Sequence, residues 1–323
     1  MSAETMTVRE AARRSLTEEM EADARVWVLG EDVGRGGLFG QYTGMVDAFG
    51  PDRIVDTPIS ESTIMGVAVG SALMGGRPVA EMRLCDFAVC ATDELVNQAA
   101  KNRYMFGGQG RVPLLVRQPC GIGRSTAAQH SQSLESWYCH VPGLVVLAPS
   151  SPADTFGLLK TAIRSDDPVV YFEHKLLWGV EGDVDVDAAP IEVGRAARRR
   201  EGTDVTIVAW SSMVADALAA AEALHAQDGI SAEVLDLRSL WPWDEAAVLE
   251  SAARTGALLV AQESVRVAGF GAEVAATVAE ETGVRIGRVG CPRVPMPYSQ
   301  PLEAEIRVGA ADVAAAARAL VER

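Results

Sequence analysis

One segment of the sequence is suited to holding a carboxylate at the start of a helix. It reads DTPISE at positions 56–61. Pro58 restricts the backbone before a helix and Ser60 is a suitable N-cap, so we predict Glu61 in the first helical turn. The positive end of the helix dipole stabilises a carboxylate there. Because the helix predicted over 62–74 carries almost no charge, Glu61 lies at the edge of a buried element. It can serve as a cap or as a catalytic group, and spacing alone leaves both open.

A second segment places a histidine among groups that form hydrogen bonds. The sequence AQHSQS at 128–133 lies in an irregular stretch from 120 to 142. Loops between packed elements often carry catalytic groups, and a histidine can exchange protons near neutral pH. His130 is therefore a candidate for proton transfer, with a hydrogen-bonded loop histidine as the alternative. His174, beside Glu173 and Lys175, is either another site residue or part of a solvated charge cluster.

An aromatic residue follows one of the predicted strands. Phe87 comes shortly after the strand predicted over 78–81. Ligands of open α/β sheets gather at the carboxyl ends of the strands, where an aromatic ring can stack on a planar group. Packing in the core is the alternative role of Phe87. The glycine-rich segments at 34–37 and 269–271 do not complete a dinucleotide-binding pattern, which argues against a nicotinamide enzyme.

Composition excludes several classes of protein. The 323 residues are 48% hydrophobic, which rules out disorder, and 44 acidic against 29 basic residues give a net charge of −15. This charge argues against nucleic acid or an anionic membrane as partner. The five cysteines form no CxxC pair, so we expect reduced thiols and no zinc. The N-terminus has no apolar signal core and no stretch is long enough for a membrane helix, so we predict a soluble, cytoplasmic chain.

The elements that must position these residues alternate between strands and helices, which predicts two doubly wound α/β domains. We expect domains over 1–180 and 195–323, joined by an acidic linker over 181–194. In the first domain, strands are predicted over 26–29, 53–55, 78–81, 114–117, 144–147 and 169–172, and helices over 7–24, 62–74, 92–105 and 152–164. In the second domain, strands are predicted over 204–209, 232–236, 258–261 and 284–288, and helices over 212–227, 244–254, 271–282 and 310–322.

Seven ordered segments carry a resemblance to a known family over nearly the whole chain. They are GEDVG at 30–34, DTPISE at 56–61, AAKNRYMFGGQ at 99–109, AQHSQSLE at 128–135, HVPGLVVLAPSSP at 140–152, DVTIV at 204–208 and EVLDLRSLWPWD at 233–244. Together they resemble the beta subunit of the thiamine-diphosphate-dependent 2-oxo acid dehydrogenase component. That family includes pyruvate, branched-chain and acetoin dehydrogenases. The resemblance implies an N-terminal transketolase-like pyrimidine-binding domain and a C-terminal transketolase-like domain.

The resemblance also implies roles for three residues. Glu61 matches the carboxylate that bonds a pyrimidine nitrogen of thiamine diphosphate. This contact favours the imino tautomer that takes the proton from the thiazolium carbon. Phe87 matches the aromatic residue that packs against the pyrimidine. His130 matches the histidine that assists proton movement and acyl transfer to a lipoyl group. The family usually has glycine where this chain has Thr63, which leaves Glu61 in place.

Metal ions are implied in two places. Beta subunits of the family often hold potassium through backbone carbonyls, which match five positions here: Leu114, Ala162, Ile163, Ser165 and Asp167. Magnesium and the diphosphate are usually held by a Gly-Asp-Gly motif followed by asparagines. This chain has only Asn97 and Asn102, and Gly182-Asp183 follows both. We therefore expect an alpha subunit to hold the magnesium and share the cofactor, and we expect this chain alone not to bind thiamine diphosphate tightly.

The expected assembly has two alpha and two beta subunits and docks on a lipoyl-bearing acyltransferase core. The reaction is decarboxylation of a 2-oxo acid, or cleavage of acetoin, with transfer of the acyl group to lipoyl. The alternative is a mainly structural or docking subunit, with catalysis carried by the alpha partner. A purely scaffolding chain has no need of both Glu61 and His130. The sequence does not decide between a 2-oxo acid and acetoin as substrate.

Overall fold

The computed structural model describes residues 3–322, and its chain divides into two compact units. The first unit comprises the residues up to Cys120 and Trp137–Val193, and the second comprises Gly121–Ser136 and the residues from Gly194 onward. These limits differ from the predicted domains because the segment with His130 groups with the second unit. Residues 181–193, predicted as linker, group with the first unit.

The first unit is built on a parallel sheet of six strands. The strands of the whole unit, of which β2 to β7 form this sheet, are β1 (Ala3–Thr7), β2 (Val26–Gly30), β3 (Ile54–Asp56), β4 (Arg77–Glu81), β5 (Leu115–Cys120), β6 (Val145–Leu147), β7 (Val169–His174) and β8 (Glu181–Asp185). Within this unit the sheet has the order β6-β7-β5-β4-β2-β3, and every neighbouring pair is parallel. Strands β1 and β8 form a separate antiparallel pair. The start of the predicted linker is therefore a strand.

Helices cover this sheet and contribute to its core. They are α1 (Val8–Ala22), α2 (Met45–Phe49), α3 (Glu61–Leu73), α4 (Cys85–Ala88), α5 (Asn102–Met105), α6 (Glu135–Cys139), which spans the boundary at Ser136, and α7 (Pro152–Arg164). Apolar residues of α1 and α7 pack on the buried strands β2, β4, β5 and β7. Ser151 caps α7 by accepting a hydrogen bond from the Asp154 N–H.

The helix predicted over 92–105 is interrupted. Residues Glu94–Ala99 form a π-helical turn and α5 begins only at Asn102. The side chain of Asn102 donates a hydrogen bond to the Gln98 carbonyl. A side-chain amide that bonds the preceding turn competes with the regular backbone ladder, which accounts for the break.

The second unit has a five-stranded sheet. Its strands are β9 (Ala197–Arg200), β10 (Val205–Ala209), β11 (Ala232–Asp236), β13 (Ala257–Val265) and β14 (Arg285–Cys291), and Ser239–Trp241 forms a short strand, β12. The order is β14-β13-β10-β11-β9, parallel except for the β11–β9 pair. Its helices are α8 (Met213–Asp228), α9 (Glu245–Thr255), α10 (Gly271–Glu281), α11 (Gln300–Ile306) and α12 (Ala310–Val321). Helices α8 and α12 pack their alanine-rich faces on this sheet.

Within residues 3–322 none of the five cysteines forms a disulfide, and no group of three acidic, histidine or cysteine side chains could hold a metal ion. No helix in this part of the chain has the length and apolar character that crossing a membrane requires.

Candidate active site

Three strand ends bring the candidate groups of the first unit to one edge of its sheet. Strands β4, β2 and β3 are parallel neighbours, so their carboxyl ends lie side by side. Glu31 follows β2, Glu61 begins α3 shortly after β3, and Phe87 lies in α4 shortly after β4. This is the edge at which open α/β sheets bind ligands. The structure therefore brings Glu61 and Phe87 to the same edge of one sheet.

Glu61 lies in the first turn of α3, as predicted from Pro58 and Ser60. Ser60 is the N-cap residue, although its side chain makes no capping hydrogen bond. The Thr57 N–H donates to the Gly30 carbonyl at 3.0 Å, and this bond holds the segment that precedes α3 against the end of β2. Within residues 3–322 no group donates a hydrogen bond to the Glu61 carboxylate or forms an ion pair with it. The carboxylate is therefore available to accept a hydrogen bond from a ligand.

Glu31 is a neighbouring acid that sequence reasoning treated only as part of the GEDVG motif. Burial raises the pKa of Glu31 above its usual range, and the nearby charges of Glu61 and Asp32 raise it further. Arg83 opposes this shift from 3.6 Å and forms a closer contact, 2.6 Å, with Asp32. An acid placed directly after the glycine that ends a strand was the available signal for Glu31.

Phe87 is partly exposed at the same edge. It lies in the short helix α4, and its N–H donates to the Leu84 carbonyl at 3.1 Å. Cys85 and Ala88 of the same helix are buried, which anchors α4, whereas Phe87 is half-buried. Phe87 is therefore not wholly buried in the core, which allows a planar ligand to stack on its ring.

His130 lies in the second unit, on an exposed part of the loop that follows β5. Its N–H donates to the Ala127 carbonyl at 3.3 Å, and its own carbonyl accepts a hydrogen bond from Thr126. Arg124, Ser125 and Ala127 have φ angles of 64°, 53° and 62°, a region that non-glycine residues seldom occupy. Such strain is typical of functional loops.

The carbonyls suggested for potassium all accept hydrogen bonds. Arg77 Nη1 donates to the Ile163 and Ser165 carbonyls at 3.1 and 2.9 Å. The carbonyls of the other three positions accept bonds from backbone or hydroxyl groups: Leu114 from Val169, Ala162 from the Ser165 N–H and Asp167 from the Ser165 hydroxyl. A cation among them would face the positive charge of Arg77, so the set as it stands does not fit potassium.

His174 does not belong to a solvated cluster. Glu173, His174 and Lys175 are all buried. Nδ1 of His174 accepts a hydrogen bond from the Leu176 N–H at 3.2 Å, which stabilises the turn after β7. The charge of Glu173 is compensated by Arg117, at 2.7 and 2.8 Å.

A buried acid beside this ion pair was not found by sequence reasoning. Glu81, the last residue of β4, accepts a hydrogen bond from the Tyr42 hydroxyl at 2.5 Å. Complete burial raises the pKa of Glu81 to about 7, with Glu173 adding to the shift and Arg117 opposing it. The sequence gives no signal for this role, because the burial of Glu81 depends on its contact with Tyr42, 39 residues earlier in the chain.

Comparison with known proteins agrees with this architecture. The model of the transketolase pyrimidine binding domain matches residues 4–180, and that of the transketolase C-terminal domain matches residues 194–313. A split-gene transketolase in an inactive beta4 tetramer superposes with a TM-score of 0.83, 29% identity, and coverage of 98% of this chain and 99% of that one. Transketolase from Leishmania mexicana, at 17% identity and a TM-score of 0.75, shares the fold; the match covers 100% of this chain and 46% of that one.

Curated relatives are more similar in sequence. The 2-oxoisovalerate dehydrogenase subunit beta of Bacillus subtilis is 42% identical over 98% of this chain and 99% of its own length. Pyruvate dehydrogenase E1 component subunit beta-2, mitochondrial, of Oryza sativa subsp. japonica is 44% identical over 94% and 82%. The beta subunit of acetoin:2,6-dichlorophenolindophenol oxidoreductase of Cupriavidus necator is 42% identical over 98% and 97%. The chain therefore belongs to the family of transketolase-like beta subunits of 2-oxo acid and acetoin dehydrogenases, and is an oxidoreductase subunit.

Proposed function

We propose that the chain is the beta subunit of a thiamine-diphosphate-dependent 2-oxo acid or acetoin dehydrogenase that transfers an acyl group to lipoyl. The observation that carries the proposal is the Glu61 carboxylate, which lies in the first turn of α3 without a hydrogen-bond or ion-pair partner within residues 3–322. A carboxylate left available at a ligand-binding edge suits the pyrimidine ring of the cofactor. The names of the relatives support the same class of reaction.

Thiamine diphosphate, when bound, supplies a nucleophilic carbon that attacks the substrate carbonyl. In this chain Glu61 would accept a hydrogen bond from a protonated pyrimidine nitrogen and so hold that proton in place. Phe87 would pack against the pyrimidine ring and fix its orientation. His130 would donate or accept a proton during acyl transfer to lipoyl. Glu31, whose pKa is raised mainly by burial, would add a second carboxyl group at the same edge.

An alpha subunit would complete the cofactor site and hold the magnesium. Exposed apolar side chains agree with such a partner, since apolar groups that lie together on a surface mark sites of protein–protein contact. Ile59, next to the Glu61 helix, is 80% exposed, and Met74, at its other end, is 88% exposed. Tyr104 and Met105, 87% and 72% exposed, lie in the same unit. The solved split-gene transketolase is described as an inactive beta4 tetramer. We propose two alpha and two beta subunits on a lipoyl-bearing core.

Co-expression with an alpha subunit tests the proposal. The complex should oxidise pyruvate, a branched-chain 2-oxo acid or acetoin with 2,6-dichlorophenolindophenol as electron acceptor. The preferred substrate then identifies the dehydrogenase, which relatives of nearly equal identity leave open. If none of the three substrates is turned over, the proposed reaction is wrong.

Glu61→Gln separates a catalytic subunit from a docking subunit. The variant should lose at least about 100-fold in turnover, because general acid–base groups contribute 10²–10⁴-fold. Glu245 is the matched control, since it occupies the first turn of α9 and is exposed. Glu245→Gln should keep native activity. Near-native activity of Glu61→Gln would instead assign the chain a mainly structural role.

A further inference from the structure

The two ends of the loop that carries His130 meet on one carboxylate. The Gly121 N–H donates to the Gln132 carbonyl at 3.0 Å and closes the base of the loop. The Ile122 N–H and the Ser133 hydroxyl both donate to Oε1 of Glu263, at 2.9 and 2.8 Å. One oxygen atom therefore ties the start of the loop to its end.

Glu263 attaches this loop to strand β13 of its own unit. It lies near the carboxyl end of β13, between Ala261 and Val265, where the register of this strand with β14 shifts. Its exposure is 6%, so water does not compete freely for its oxygens. Hydrogen bonds to a charged carboxylate are stronger than those between neutral groups. Both ends of the loop are thus attached to β13 through the Glu263 side chain.

A second carboxylate holds the strained part of the loop. Glu303, in α11, is 8% exposed and accepts a hydrogen bond from the Ser125 N–H at 3.1 Å. Ser125 lies between Arg124 and Ala127 in the run of positive φ angles. Such a conformation persists only where the surroundings determine it. Glu303 and Glu263 together supply that constraint.

Side-chain packing leaves one face of the loop without close contact. Ala128, Ser131 and Ser133 line a cavity of about 540 Å³, and residues 291–296 form part of its wall. A wall that borders open space gains little from dispersion contacts. On the side that faces the cavity, the position of the loop therefore depends on hydrogen bonds. The bonds to Glu263 hold both the start of the loop, at Ile122, and its end, at Ser133.

We infer that Glu263 is a positioning residue that holds His130 in the orientation required for acyl transfer to lipoyl. The inference rests on the proposed function, in which His130 acts in that transfer. Glu263 would act through the loop and not through a contact with substrate or cofactor. It acts by restricting the loop, so its loss should affect the step that uses His130 more than the steps before it.

The test compares two reactions of the alpha–beta complex. One is reductive acylation of a lipoyl domain, and the other is oxidation of the same substrate by 2,6-dichlorophenolindophenol. Glu263→Gln should slow lipoyl acylation at least about tenfold while changing the dye-linked rate less than about twofold. Ser133→Ala removes one of the two bonds and should give a smaller loss of the same selectivity. Glu273→Gln, an exposed acid on α10 of the same unit, is the control and should change neither rate.

A double variant distinguishes positioning from a general loss of stability. In a His130→Ala complex, adding Glu263→Gln should lower acylation no further, because the group it positions is already gone. Equal losses in both reactions, or multiplicative losses in the double variant, would overturn the inference. If His130→Ala alone acylates lipoyl normally, the proposed role of His130 fails and the inference falls with it. If Glu263→Gln does not fold, the selectivity of Ser133→Ala decides, and an unselective result is negative.

Discussion

Arg117 and Glu173 form a buried ion pair with two hydrogen bonds, Arg117 Nη2 to Oε1 at 2.7 Å and Nε to Oε2 at 2.8 Å. Arg117 lies on β5 and Glu173 on the paired strand β7, two residues beyond Tyr171, the register partner of Arg117, and both side chains are 1% exposed. The Arg117 guanidinium also lies 5.0 Å from the centre of the Tyr42 ring. The pair thus joins the centre of the sheet to the loop that covers it.

Breaking this pair from one side should be costly. Arg117→Met leaves Glu173 buried and uncompensated, and we expect a loss of about 3–5 kcal/mol in the free energy of unfolding. The double variant Arg117→Met/Glu173→Met removes both charges and should lose less than the single variant. Urea unfolding followed by circular dichroism measures both. A single variant within about 1 kcal/mol of wild type would contradict a structural role for the pair.

Glu81 should make the stability of the chain depend on pH. Its pKa rises from an ordinary value of 4.5 to about 7 in the folded chain. A raised pKa means that stability from this group is complete below about pH 4.5 and is lost as the pH rises through about 7. Glu81→Gln cannot ionise, so between pH 5 and pH 8 it should gain about 2.5 kcal/mol relative to wild type.

Chemical denaturation at several pH values measures this difference for Glu81→Gln. Glu222→Gln, which replaces an exposed acid on α8, is the control. The control should follow the wild-type curve at every pH. Parallel curves for Glu81→Gln and wild type would show that Glu81 does not titrate in this range.

Much of the fold follows from patterns in the sequence, because buried parallel strands and amphipathic helices have distinct periodicities. Helix α7 begins and ends at Pro152 and Arg164, as predicted, since a capping serine and a proline at the first position mark its start. The pairing of β1 with β8 was missed because its partners are 178 residues apart where Thr5 meets Asp183. Local composition carries no information on such a contact.

The site was predictable only in part for a similar reason. Glu61 has a local signal, because its cap and proline precede it in the chain. Glu263 has none, since its role comes from the contact of β13 with Ile122 and Ser133, more than a hundred residues earlier. Residues that act through long-range hydrogen bonds become visible only when the chain is folded.

The cofactor site should require the alpha subunit. In isothermal titration calorimetry with magnesium and thiamine diphosphate, the chain alone should show no saturable binding, whereas the co-expressed complex should bind. The reason is that this sequence offers Glu61, the carboxylate proposed to bond the pyrimidine, but no Gly-Asp-Gly motif followed by asparagines. The Glu61→Gln complex should bind more weakly than the native one. Tight binding by the isolated chain would contradict the proposed division of the site.

The carbonyls around Arg77 give a test of the potassium hypothesis. Arg77 donates to the Ile163 and Ser165 carbonyls and pairs with Asp166 at 2.7 Å. Because its guanidinium already supplies a positive charge there, the thermal midpoint of the wild-type complex should be the same in KCl and NaCl at equal ionic strength. Arg77→Met frees the carbonyls and should cost about 1–3 kcal/mol, the usual penalty for unsatisfied buried acceptors.

Measuring the stability of Arg77→Met in KCl and in NaCl then shows whether the freed carbonyls prefer potassium to sodium. Potassium should recover part of the stability of Arg77→Met and sodium should recover less, because released carbonyl oxygens can coordinate an ion. Arg111 is the matched control, since it also contacts Asp166 at 2.7 Å but, within residues 3–322, donates to none of these carbonyls. Arg111→Met should therefore be insensitive to the choice of salt. A higher midpoint of the wild-type complex in KCl than in NaCl would mean that potassium binds beside Arg77, and that the family's metal site is present after all.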